Sequence, residues 1–164
     1  MRHPAPSRPL CVLLAACCVA VLAGCAHRQV ALDSPQSSTD NFQKAKAAGI
    51  RPVAVGDFDG QDGEAQYLKD TLVVELQGAG LLDPASDAVI QGRLVEARMG
   101  RHQGSVVARF TVTQSDGRVL YDRELRTSAT WGAGANAARE RAGVYRKLVG
   151  VLLGDPGFKN AVPR

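Results

Sequence analysis

General acid–base chemistry and metal binding most often need histidine, and this sequence of 164 residues contains three. Only His102 lies within the part expected to fold, in the stretch 100–104 between two predicted strands. A Ser–His–Asp triad would need His102 as its base, but the sequence has no Gly-x-Ser-x-Gly turn to present the nucleophile. A zinc site would need more histidine or cysteine ligands than this part of the chain offers. The sequence therefore predicts no catalytic residues, no metal site and no cofactor, and we expect a protein that is not an enzyme.

The second candidate is an acidic turn that contains Asp57, Asp59 and Asp62. A calcium-binding loop places oxygen ligands at positions 1, 3 and 5, glycine at position 6 and glutamate at position 12. Counted from Asp57, positions 5, 6 and 12 hold Gln61, Asp62 and Leu68, so the pattern fails. Nothing nearby suggests the apolar pocket that raises the pKa of a glycosidase acid. We interpret the turn as the connection from a strand to a helix, with Asp62 as the helix cap.

Arginines recur along the predicted strands and define the candidate binding surface. The residues concerned are Arg93, Arg98, Arg109 and Arg123. Guanidinium groups gathered on one sheet face would attract anionic lipid, lipopolysaccharide, a glycan or an acidic protein partner. The same strands also carry Glu96, Asp122 and Glu124, so an ordinary solvated face of paired charges is the alternative interpretation.

The N-terminal segment predicts export from the cytoplasm. Arg2 and Arg8 precede residues 10–23, an almost wholly apolar stretch of 14 residues without a charge. As a helix this stretch would span about 21 Å, which is short of the roughly 30 Å hydrocarbon core of a bilayer. A positive start, a short apolar stretch and small residues at its end are typical of a secretory signal peptide.

The end of this stretch carries a more specific motif, the four residues Leu22-Ala23-Gly24-Cys25. It resembles the lipobox of bacterial lipoproteins, which implies that residues 1–24 are removed and that Cys25 is diacylated and anchors the chain to a membrane. Ala26 follows in place of aspartate, and the sorting rule of enteric bacteria then implies the periplasmic face of the outer membrane. The alternative is an ordinary signal peptide cleaved nearby, with Cys25 incidental.

Removal of residues 1–24 changes what the composition suggests. Cys11, Cys17 and Cys18 lie in the removed segment, so a lipidated Cys25 leaves no thiol for disulfides, metal binding or nucleophilic catalysis. The two arginines of the leader are also lost, which lowers the formal net charge from +4 to +2. We therefore expect no nucleic-acid partner. The expected partners are the membrane, through Cys25, and a protein of the cell envelope.

Residue patterning predicts a flexible tether over residues 25–49 and one folded body over residues 50–164. Polar, aperiodic sequence indicates the tether, within which residues 42–48 could form a short helical turn. Apolar residues with a period of two or of three to four predict strands at 50–58, 88–99, 105–114 and 119–129 and helices at 64–78 and 136–153. This order, β-α-β-β-β-α, predicts an α+β fold with a largely antiparallel four-stranded sheet and two helices on one face.

Three stretches carry a resemblance at the level of the fold, namely residues 50–56, 81–92 and 155–158. The body resembles small periplasmic lipoprotein domains of proteobacteria. Its topology is similar to that of the lipoprotein activators of penicillin-binding proteins and of the N-terminal domain of the Tol-system propeller protein. Function does not follow from fold, and no functional residue is carried over. The expected function is a non-catalytic periplasmic interaction module for cell-envelope assembly or maintenance. The alternative is a binder of lipopolysaccharide, lipid or peptidoglycan that uses a basic sheet face.

Overall fold

The computed structural model describes residues 35–60 and 63–164. In chain order its elements are α1 (Thr39–Ala48), β1 (Ala54–Asp59), α2 (Glu64–Gly78), β2 (Ala88–Met99), β3 (Gln103–Gln114), β4 (Val119–Thr130), α3 (Ala137–Gly154) and α4 (Pro156–Ala161). The predicted signal peptide, the predicted lipobox with Cys25, and the predicted Asp62 cap lie outside the described residues. Within them, no helix is long and apolar enough to cross a membrane.

The four strands form one sheet in the order β1-β2-β3-β4. β2, β3 and β4 are successive antiparallel neighbours, whereas β1 runs parallel to β2. A parallel pair needs a connection that returns the chain to the same end of the sheet, and α2 lies in that connection. The predicted α+β class with a largely antiparallel four-stranded sheet is confirmed.

The hydrophobic core lies between the sheet and the helices α2 and α3, which both pack against the strands. Its fully buried members include Leu68, Leu72 and Leu76 of α2, Ile90, Phe110 and Val112 of the sheet, and Tyr145, Leu148 and Leu152 of α3. Short helix α4 adds Phe158, whose ring meets that of Tyr121 edge to face with 5.7 Å between centroids. Two helices on one face of the sheet therefore enclose the core, as the sequence predicts.

Helix α1 lies in the segment that the sequence analysis assigns to the flexible tether. Ser38 caps it by accepting a hydrogen bond from the backbone N–H of Asn41, and the helix packs against both α2 and α3. Asn41 and Ala45 are only 3% and 2% exposed. The packed body therefore begins before Ile50, at the start of α1. The sequence suggests a short helical turn at 42–48 but does not predict its packing, because the buried positions hold a polar and a small residue rather than large apolar ones.

Strand β1 is shorter than the predicted strand at 50–58. Ile50 and Val53 make only single bridges, to Pro163 and Leu82, and regular pairing starts at Ala54. Pro52 has no N–H to donate, which explains why a continuous ladder does not form across it. The register with β2 then shifts between Val55 and Phe58, a bulge of the kind that redirects side chains at a sheet edge.

Candidate functional site

The sheet has one face covered by α2 and α3 and one face that these helices leave uncovered. Successive residues of a strand point to opposite faces, and on β2 the exposed Gln91 and Arg93 alternate with the buried Ile90 and Gly92. The strand register places Gln91 beside Thr111 and Arg93 beside Arg109 on β3. The same two rows continue onto β4, where Asp122 lies beside Thr111 and Glu124 beside Arg109. The uncovered face is therefore polar and charged.

A shallow pocket of about 370 Å³ opens on this face. It is lined by Asp57 and Asp59 of β1, Gln91, Gly92 and Arg93 of β2, Arg109 and Thr111 of β3, and Asp122 of β4. All four strands contribute to it, so the pocket exists only in the assembled sheet.

Gly92 explains how β1 comes close enough to contribute. A Cβ atom at this position would overlap the ring of Phe58, so only glycine lets that ring lie across β2. Phe58 also meets Phe110 edge to face, with 6.1 Å between ring centroids. Asp57 and Asp59 flank Phe58 in sequence, and the pocket places their side chains on the other, uncovered face.

Arg109 and Asp122 form the ordered centre of the pocket. Both carboxylate oxygens accept hydrogen bonds from the guanidinium, with Nε–Oδ1 at 2.6 Å, and the Thr111 hydroxyl lies 3.4 Å from the same Oδ1. The hydrogen bond from Arg109 holds the pKa of Asp122 below its ordinary value of 3.8, and Asp122 in turn raises the pKa of Arg109. Paired in this way, the two groups are fixed in orientation and retain their charges.

Arg93 is held differently from Arg109. It lies directly opposite Arg109 across β2 and β3 and opposite Asp59 across β1 and β2. Within residues 35–60 and 63–164, no carboxylate approaches its guanidinium to 4 Å. Like charges directly opposite on neighbouring strands repel each other, so the position of Arg93 is not explained by an ion pair in this part of the chain.

The acidic side of the pocket is open to solvent. The Asp57 side chain is 96% exposed and lies 3.6 Å from Lys69 of α2, and Asp59 is exposed as well. Among the described residues, no group of three or more His, Cys, Asp or Glu side chains has the arrangement of a metal site. The sequence pattern predicts only a strand-to-helix turn for Asp57 and Asp59, and the structure also places them at the edge of a pocket that contains arginines.

The four arginines predicted as a binding surface do not form one cluster. Arg93 and Arg109 meet in the pocket, whereas Arg98 lies toward the end of β2 and pairs with Glu96 at 2.8 Å. Arg98 lines a second hollow of about 280 Å³ together with Ser105 and Ser128.

The placement of Arg123 corrects the sequence-based surface. It alternates on β4 with Asp122 and Glu124, so it points to the helix side, where it pairs with Asp155 at 3.4 Å. The expectation that it shares a face with Arg109 is wrong, because the period of two places them on opposite sides of the sheet. On the uncovered face, Glu96, Asp122 and Glu124 accompany the arginines. This mixture of charges agrees with the alternative interpretation from the sequence, in which the face carries ordinary, solvated pairs of charges.

His102 and the β4 edge of the sheet offer little to a binding partner. His102 is exposed in the turn between β2 and β3. Along β4, the Lys147 ammonium donates to the backbone carbonyl of Ser128 at 2.7 Å. A lysine that covers an edge carbonyl hinders the addition of another strand at this edge.

Gln91 and Thr111 are pocket residues that the sequence reasoning missed. The residue type of neither one suggests a binding role by itself. However, Gln91 shares a strand face with Arg93, and Thr111 shares one with Arg109, each at a spacing of two. That spacing is visible in the sequence and would have placed them beside the arginines once the strands were assigned.

The fold and site define an α+β domain with a polar, uncovered sheet face. No protein-family model matches the sequence, and none of the curated proteins matches it. A hypothetical protein from Chlamydia trachomatis aligns at 11% identity and a TM-score of 0.48, over 64% of this chain and 96% of that chain. A minor lipoprotein from Acinetobacter baumannii aligns at 12% identity and a TM-score of 0.43, over 70% of this chain and 97% of that chain. Neither likeness is close enough to indicate a function.

Proposed function

We propose that this chain is a bacterial envelope lipoprotein whose folded body is a non-catalytic binding module. In this proposal the chain is anchored through Cys25 at the periplasmic face of the outer membrane, and a partner in cell-envelope assembly or maintenance binds the uncovered sheet face. The observation that carries the binding role is the pocket of about 370 Å³ to which all four strands contribute.

The chemistry of the pocket supports binding rather than turnover. Its one tight pair, Arg109 and Asp122, keeps both groups charged, because each shifts the pKa of the other away from neutrality. A general acid or base works best with a pKa near the ambient pH, whereas the pKa values of this pair are shifted away from it. Fixed charges of this kind orient a bound ligand.

The path of the chain supports access to this face. Ser37 and Ser38 contact Glu75 of α2, and α1 packs on α2 and α3. The first described residues of the chain therefore lie on the helix side of the sheet. The pocket lies on the other side, which these residues leave open.

Anchoring is tested by metabolic labelling with an alkyne fatty acid, followed by separation of inner and outer membranes on a density gradient. We expect the unaltered chain to be labelled and to sediment with the outer membrane, and the Cys25→Ser variant to lose the label. The matched variant Ala26→Asp should keep the label and move to the inner membrane. Label retained by Cys25→Ser would contradict the proposed anchor.

The binding face is tested by photo-crosslinking in living cells. A photoreactive residue replaces Gln91, which is exposed in the pocket, or Val151, which is 37% exposed on α3. We expect a light-dependent adduct of defined mass from position 91, weakened by the additional change Arg93→Gln, and none from position 151. Adducts only from position 151, or none from either position, would reject the sheet face as the binding surface.

A further inference from the structure

We infer that the sheet pocket binds an α-amino-acid zwitterion, a group with an ammonium and a carboxylate on one carbon. The inference rests on the proposed binding function and names the chemistry of the ligand. The carboxylate would be bound by Arg93 with support from Arg109, and the ammonium by Asp59.

Arg93 forms no ion pair among the described residues. Arg109 uses its Nε and one terminal nitrogen on Asp122, whereas Arg93 has no carboxylate within 4 Å among residues 35–60 and 63–164. A guanidinium offers five N–H donors and binds a carboxylate through two of them. A ligand carboxylate would therefore supply the partner that Arg93 lacks and reduce its repulsion with Arg109.

The charge balance of the pocket disfavours a simple anion. The carboxylates of Asp57, Asp59 and Asp122 line it together with the guanidinium groups of Arg93 and Arg109, and Lys69 lies 3.6 Å from Asp57. A phosphate-rich polyanion such as lipopolysaccharide would meet the exposed Asp57 and Asp59 on entry, and like charges at an interface oppose binding. A ligand that carries both signs avoids this repulsion.

The spacing of Asp59 and Arg93 also suits such a ligand. Asp59 and Arg93 are direct neighbours on parallel strands, and neighbouring strands lie about 4.8 Å apart. An ammonium and a carboxylate attached to one carbon fit between two such side chains and can contact both. The neutral side chains of Gln91 and Thr111, on the adjoining row, add hydrogen-bonding capacity without changing the charge balance.

The pocket and the first described residues of the chain lie on opposite sides of the sheet. The chain enters the body on the helix side through Ser37 and Ser38, which contact Glu75. The pocket is on the opposite side of the sheet. Within a cell envelope, an exposed α-amino-acid centre occurs in free diamino acids and in the stem peptides of peptidoglycan, and both sources offer the same chemistry.

The test is isothermal titration calorimetry on the full acylated chain in detergent micelles. Two probes separate the sources: free meso-diaminopimelate, and a muramyl tripeptide that ends in diaminopimelate. We expect saturable binding of at least one probe, weakened about tenfold or more by Arg93→Gln and by Asp59→Asn, since each removes a charge-assisted contact. Arg98→Gln is the matched control on the same strand and face, and it should change the dissociation constant less than about twofold.

Modified probes test the two ends separately. Acetylation of the probe's free amine should weaken binding and abolish the effect of Asp59→Asn, while amidation of the neighbouring carboxylate should do the same for Arg93→Gln. Absence of saturable binding to both probes, or an equal loss in Arg98→Gln, would overturn the inference. Tighter, Arg93-dependent binding to vesicles that contain phosphatidylglycerol would also overturn it, in favour of a membrane surface. Failure here with a position-91 adduct still present in cells would leave the proposed function standing.

Discussion

Two polar regions of this molecule are built in opposite ways. Beneath the start of α1, the fully buried Glu75 accepts hydrogen bonds from Ser37 Oγ at 3.1 Å, from the Ser38 N–H at 3.0 Å and from Asn41 Nδ2 at 3.1 Å. Asn41 Nδ2 also donates to the Arg146 carbonyl of α3 at 2.8 Å. On the sheet face, the Arg109–Asp122 pair is in contact with solvent and Arg93 has no carboxylate within 4 Å in the described part of the chain.

The difference separates groups that hold the fold from groups that are free to bind. A buried carboxylate is tolerated only when its hydrogen bonds are made, and Glu75 receives them from a helix N-terminus, where negative charge is favourable. Exposed ion pairs contribute little to stability, because water screens them and two side chains must be ordered. The stability of the fold therefore accounts for the position of Glu75, whereas it does not account for the position of Arg93.

The largest effect is expected for Glu75→Ala. It removes the acceptor of three donors beneath α1 and should lower the free energy of unfolding by about 2–4 kcal/mol. Urea unfolding monitored by circular dichroism measures the change. Glu75→Gln keeps one acceptor oxygen and should lose less. An unchanged urea midpoint for Glu75→Ala would show that α1 is not held by this network.

A second, smaller effect tests the contact between α1 and α3. A Cβ atom at Gly150 would collide with Asn41 Oδ1 and lie 3.1 Å from Lys44 Nζ. Gly150→Ala should therefore destabilise the fold by about 1–3 kcal/mol and speed hydrogen exchange of the α1 amides.

The matched control for that change is Gly143→Ala on the same helix. A Cβ there would meet only Arg146 Nη2, at 4.0 Å, so the higher helix propensity of alanine should stabilise the protein by about 0.5–1 kcal/mol. Opposite signs for the two substitutions are expected in urea unfolding. Stabilisation by both would mean that α1 is not closely packed on α3.

The third prediction concerns the sheet face. Asp122→Asn breaks the pair with Arg109, but both groups remain solvated, so the urea midpoint should shift far less than for Glu75→Ala. Parallel denaturation curves of the two variants measure this. A comparable loss in Asp122→Asn would show that the sheet face is structural and would remove the contrast between the two regions.

The smallest effect is a change in titration. The hydrogen bond from Arg109 lowers the pKa of Asp122 below 3.8, and an NMR titration of the side-chain carboxyl should show this shift reversed in Arg109→Gln. Because the carboxyl has the lower pKa when folded, the pair stabilises the fold above pH 3.8, and the contribution is lost as the pH falls through the lowered pKa. A pKa unaffected by Arg109→Gln would contradict the pairing.

Most of the fold could be predicted because its elements have strong periodicity. The leucines of α2 and the alternating residues of β3 identify their elements without knowledge of any neighbour. The packing of helix α1 escaped because its buried positions are Asn41 and Ala45, whose roles depend on Glu75 and Gly150 far along the chain. The sequence singled out Arg93 and Arg109 as candidates for binding, and a spacing of two places Gln91 and Thr111 on their strand faces. Asp59 joins this pocket only through the pairing of β1 with β2.

By itself, the sequence determined the class of the fold, the residue types of the uncovered face and the lipobox-like motif on which the proposed anchor depends. These are local properties, carried by periodicity and by a four-residue motif. Only the tertiary structure decided that α1 belongs to the packed body, that β1 pairs in parallel with β2, and that Arg123 lies on the opposite face of the sheet from Arg109. These features depend on contacts between distant parts of the chain, and a pattern along the chain does not record which distant residues meet.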